Sequence, residues 1–142
     1  MVKTFYKTSA GGVVINDNQV LTIKWLSHNT VAFPKGTIEV NETAYETAIR
    51  EVKEETGYDV EIIDYLGDVT YEFDWTDGNH YSKTVTYYLM HLANENYPVA
   101  DLQPGEDFEN LWIDINKAEE ILSHDDTKEI LVRALKNAKL VY

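Results

Sequence analysis

The chain has 142 residues, no cysteine and a formal net charge of −13 at pH 7, with 44% hydrophobic and 12% aromatic residues. That length and apolar content suit one domain with its own core, and the missing cysteines exclude disulfides and thiolate metal sites, leaving oxygen ligands and the four histidines. So acidic a chain, with only 12 Lys and Arg, disfavours nucleic-acid polymers and anionic membranes as partners; lacking a signal-peptide core or a membrane-length apolar run, it is expected to be cytoplasmic.

In chain order, the apolar stretches Ala10–Ile15 and Val20–Leu26 flank the turn formers Asn16-Asp17-Asn18 and predict a hairpin. Phe33-Pro34-Lys35-Gly36 marks a loop. A helix follows over about Thr43 to Thr56, with Thr43 and Glu46 in capping-box spacing and Gly57 at its C-terminal stop. Tyr58–Phe73 reads as a strand with a break near Gly67, and the turn Asp74–Asn79 leads into a strand over Lys83–Leu92. Trp75, in that acidic turn, is expected to pack against a neighbouring loop, with base stacking as the alternative. Asn94–Asp107 is a long loop, Leu111-Trp112-Ile113 a short strand, and helices over 116–123 and 127–138 close the chain. The elements describe a mixed sheet carrying helices, in the α/β or α+β class, as one domain over residues 1–142.

The chemistry is concentrated in the first helix. Ala44, Tyr45, Ala48, Ile49 and Val52 form its predicted buried stripe, and Glu51, Glu54 and Glu55, at i, i+3 and i+4, share an adjacent arc. Arg50 and Lys53 point elsewhere on the wheel. Like charges at that spacing repel, and partial burial adds to the cost, so a divalent cation is the expected partner. Oxygen-only ligands suit Mg²⁺, with Mn²⁺ as a substitute.

The full spacing runs from Gly36 through five residues to Glu42, then seven residues to Arg50-Glu51-Val52-Lys53-Glu54-Glu55-Thr56-Gly57-Tyr58. It resembles the Nudix box GX5EX7REUXEEXGU, in which U is aliphatic, here over residues 36–58. Every polar position is filled; only Tyr58 departs, at a packing position. The resemblance implies a Nudix fold, an α/β/α sandwich with a mixed sheet, and hydrolysis of a phosphoanhydride bond in a nucleoside diphosphate-linked substrate. It implies metal ligation by Glu51, Glu54 and Glu55, with the Gly36 carbonyl as a further ligand, and makes Arg50 and Glu42 supporting residues. The general base falls to Glu51 or to a carboxylate of the late loop, where Glu106, Asp107 and Glu109 lie.

Features outside the box resemble the diadenosine tetraphosphate hydrolase subgroup: Pro34-Lys35-Gly36, the strand Lys83-Thr84-Val85-Thr86-Tyr87-Tyr88-Leu89, and Glu106 six residues before Trp112. By that resemblance Lys35 and Lys83 contact polyphosphate, Tyr87 stacks on or borders an adenine, Glu106 is a late ligand or base, and the products are AMP and ATP. The alternatives are a house-cleaning triphosphate pyrophosphohydrolase of the 8-oxo-dGTP type and, in another class, a nucleotide-sensing module without turnover. Oligomeric state is left open.

Overall fold

The computed structural model describes residues 1–139, so the last three residues of the expected 1–142 domain lie outside the described residues. The hairpin forms from β1 (Thr4–Asn16) and β2 (Gln19–Trp25). It closes through Asp17 and Asn18, both left-handed at φ 49° and 62°, the backbone that a two-residue turn between right-twisted strands requires. Two short strands replace the expected loop: β3 (Val31–Ala32) pairs with β2, and β4 (Lys35–Thr37) pairs antiparallel with β1.

Helix α1 (Ala44–Thr56) begins and ends where its caps require. Thr43 and Glu46 bond each other's backbone N–H groups, and Gly57 stops the helix at φ 84°. Next come β5 (Val60–Asp74), with register shifts at Ile62/Asp64 and Tyr65/Gly67, and β6 (His80–Leu92), which starts before the expected Lys83. β7 (Phe108–Asp114) is longer than the expected Leu111–Ile113, and α2 (Ile115–Ile121) and α3 (Asp125–Asn137) complete the described chain.

β6 lies parallel to β1 and antiparallel to β5, and the strands form one mixed sheet in the order β3-β2-β1-β6-β5, with β4 on β1 and β7 on β2. Side-chain alternation splits the core in two. Val14, Leu21 and Met90 pack with Ala48 and Val52 of α1, while their neighbours Val13, Val20 and Leu89 pack with Ile130, Leu131 and Ala134 of α3. The expected α/β/α sandwich is therefore observed. Among the described residues no helix is long and apolar enough to cross a membrane.

The buried face of α1 differs from the predicted stripe. Thr47, Ala48, Val52, Glu55 and Thr56 are buried, whereas Tyr45 is 50% exposed and Ile49 only partly covered. Polar partners set the rotation: Thr47 is bonded to Glu42, and Glu55 accepts from the Lys35 backbone N–H.

Candidate active site

Strand β4 and the C-terminal half of α1 bring the carboxylates to the sheet edge. The Glu55 carboxylate is buried and accepts from the Lys35 N–H at 2.9 Å. Glu51 packs against Gly36, where an added β-carbon would fall 2.0 Å from its Cδ. Burial is the leading effect on both glutamates, raising Glu51 above the usual carboxylate range and pushing Glu55 up to about 8. Glu106 of the late loop adds its charge to both, while its own Oε1 accepts from the Gln103 N–H at 2.7 Å.

Arg50 does not point away from this group. Its Nε and Nη2 fork onto Glu42 at 2.7 and 2.8 Å, Nη1 reaches Glu51 at 2.8 Å and Glu54 at 3.2 Å, and Nη2 also donates to the Thr37 carbonyl. The fork holds the Glu42 carboxyl down to about 2, with Thr47 helping. The three helix glutamates consequently do not converge as the helical wheel suggested. Among the described residues no three Asp, Glu or His side chains form a ligand set, and the guanidinium stands between Glu51 and Glu54.

A divalent cation fits the chemistry of these donors. All the side chains are hard oxygen donors, as Mg²⁺ prefers, and the buried Glu55 carboxylate has only one backbone donor to balance its charge. Glu51 and Glu55, both against β4, would hold the ion with the Gly36 carbonyl, and Glu54, across the Arg50 guanidinium, would join them only on rearrangement.

Lys35 enters from the other side of β4. Burial first, then Lys83, lowers it to about 8, although Glu55 and Glu51 pull the other way. It lines a cavity of about 330 Å³ shared by Trp25, Tyr71, Tyr87, His124 and Asp126. Tyr87 is only 2% exposed, with its ring 5.9 Å from Phe33 in an edge contact. It borders this cavity without a free face for stacking, because α3 and Phe33 cover that part of β6. The more open aromatic rings here are Trp25 and Tyr71, which sequence reasoning missed. Their signal was faint, since Tyr71 is one of several alternating aromatics and Trp25 ends a strand. Glu109 faces away on β7, opposite Lys24.

Trp75 packs edge-on against Phe73 of the same strand end, not against a neighbouring loop. His80 sits between Asp74 at 2.8 Å and Glu72 at 3.2 Å. Ser9, on β1 beside Thr37, carries a buried hydroxyl without a partner among the described residues.

Comparison with known proteins gives this geometry a context. The NUDIX domain family model matches residues 5–135. A putative mutator protein MutT4 of Mycobacterium tuberculosis (strain CDC 1551 / Oshkosh) is 35% identical over 139 residues, covering 91% of this chain and 54% of that protein. The chain thus spans about half the length of that curated relative. A binary complex of the C. elegans Ap4A hydrolase superposes with TM-score 0.71 at 20% identity, covering 94% of this chain and 98% of the other. The E. coli dihydroneopterin triphosphate pyrophosphohydrolase gives TM-score 0.72 at 22% identity, covering 93% and 98%. At these identities the two structures establish the fold alone.

Proposed function

The chain belongs to the Nudix family, and from that premise we propose that it hydrolyses a phosphoanhydride bond in a nucleotide with the help of a divalent cation. The observation that carries this reading is Glu51 against Gly36 and Glu55 on the Lys35 backbone N–H, with the charge of Glu106 acting on both and the Lys35 side chain lining an aromatic cavity on the other face of β4. When bound there, Mg²⁺, or Mn²⁺ in its place, neutralises phosphate oxygens and makes water a better nucleophile.

The chain's own groups do the rest. Arg50 positions Glu51 and Glu54 through Nη1, and Glu42 holds Arg50 through the fork, so the two glutamates are oriented before substrate arrives. Lys35 and Lys83 draw the polyphosphate to the cavity mouth. The cavity takes one nucleoside, with Trp25 and Tyr71 against the base and Tyr87 at its border. The proton of the attacking water passes to the Glu106 carboxylate, which carries a single neutral backbone donor, whereas Glu51 is ion-paired to Arg50.

The favoured substrate is a dinucleoside polyphosphate such as diadenosine tetraphosphate, cut to AMP and ATP. The name of the mycobacterial relative favours a second reading, pyrophosphate release from a nucleoside triphosphate. Chromatography of products from dinucleoside polyphosphates and triphosphates, with Mg²⁺ and with chelator, separates the two. AMP plus ATP supports the first reading and pyrophosphate the second; turnover undiminished by chelator would refute the metal.

A further inference from the structure

The aromatic lining of the sheet continues past the first cavity. Register places Tyr71 opposite Lys83 and Phe73 opposite Tyr81, and residues two apart share a face, so Tyr71, Phe73, Tyr81 and Lys83 form one surface. Phe73 stacks on Tyr81 with centroids 5.4 Å apart and planes at 9°, and Tyr71 lies 6.2 Å from Phe73 at 25°. Trp75 meets Phe73 at 6.2 Å and 77° and remains 58% exposed. With Lys7 and Thr37, the residues Phe73, Trp75, Tyr81 and Lys83 line a second, more open cavity of about 390 Å³.

Two relationships tie this cavity to the first. The parallel register of β1 and β6 sets Lys7 opposite Lys83, and the charge of Lys83 acts on Lys35. Like charges so placed repel, and their gathering in a chain of net charge −13 marks a path for an anion. Strand β4 then links the two spaces residue by residue. Lys35 lines the first, Thr37 lines the second, and Gly36 between them touches Glu51. Lys35 and Thr37 thus share one face of β4, on which both aromatic cavities lie, and the carboxylates stand against the other face of the same short strand. Val85 in one and Lys83 in the other are two residues apart on one strand, roughly 7 Å, a step that a chain of several phosphates spans.

We propose that the second cavity binds the far base of a substrate carrying a base at each end, with Trp75 and Phe73 stacking on it and the phosphate chain crossing Lys35, Lys83 and Lys7. This rests on the hydrolytic reading of the first cavity and the carboxylates. A mononucleotide fills the first cavity only, so the second is where one-base and two-base substrates are told apart.

The test compares diadenosine tetraphosphate with adenosine 5′-tetraphosphate on the wild type, Trp75→Ala and Trp75→Phe. Loss of one stacking ring should raise KM for the two-base substrate about tenfold more than KM for the one-base substrate, and phenylalanine should recover most of the difference. Equal changes on both substrates would make Trp75 a structural part of the hairpin and overturn the proposal. Calorimetric titration of the same two ligands into Glu55→Gln protein, with and without Trp75→Ala, reads the cavity without turnover. If the wild type cuts neither substrate, the hydrolytic reading falls, and this affinity ratio alone decides the cavity: a selective loss upholds it and an equal loss ends it.

Discussion

Gly36 faces the carboxyl group of Glu51 so closely that a β-carbon would lie 2.0 Å from Cδ and 2.3 Å from both oxygens. Its φ is not in the left-handed region, so glycine is required for space and not for conformation. Gly36→Ala should therefore displace Glu51, lowering kcat about 10 to 100-fold and stability by about 1–3 kcal/mol. Steady-state kinetics and urea denaturation read the two effects separately. Near-normal turnover in this variant would mean that the position of Glu51 is immaterial.

Arg50 is the shared cation of Glu42, Glu51 and Glu54, and its side chain is 24% exposed against 15% for Glu42 and 13% for Glu51. Removing one partner of a largely covered group leaves uncompensated carboxylates. Arg50→Ala should cost about 2 kcal/mol, discounted for the residual solvent, and should lower kcat more than it raises KM. Arg50→Lys restores the charge without the two-pronged contact to Glu42, so it should recover stability better than rate. Full recovery of both by lysine would argue against a positioning role for the fork.

At the far end of the β5–β6 hairpin, Asp74 and, more weakly, Glu72 hold His80 above its ordinary value of 6.5. A histidine raised in the folded state stabilises below its unfolded pKa, and that contribution fades as pH rises through the folded value. An NMR titration should place the His80 midpoint above that of an unfolded peptide, and Asp74→Asn should move it down. An unshifted midpoint in the wild type would remove the proposed pairing.

These cases show which parts of the molecule were written locally. The Asp17-Asn18 turn, the Thr43–Glu46 cap and the Gly57 stop depend on neighbours within a few residues, and the sequence displayed each of them. The direction of Arg50 depends on Glu42, eight residues earlier in a loop, which a helical wheel leaves out. Tyr45 turned outward because the hydrogen bonds of Thr47 and Glu55 rotated the helix. The second cavity takes its aromatic rings from the local β5–β6 hairpin, but Lys7 joins them only through the parallel pairing of β1 with β6, which leaves no local pattern.

Glu55 brings stability and activity into opposition. Its folded pKa of about 8 lies above its ordinary 4.5, so between those values the native chain holds a proton that the unfolded chain lacks. Stability without metal must then fall as pH rises from about 4.5 toward 8. Glu55→Gln keeps an acceptor for the Lys35 N–H and removes the titration, so in EDTA the variant should lose less stability than the wild type between pH 5 and pH 8. With Mg²⁺ the order should reverse: the cation raises Tm of the wild type more, and kcat of the variant falls about 100-fold because a ligand charge is gone. A variant that follows the wild type in both conditions would show that this buried carboxylate neither titrates nor binds metal; a variant steadier in EDTA yet equally raised by Mg²⁺ would confine the ion to Glu51 and Glu54.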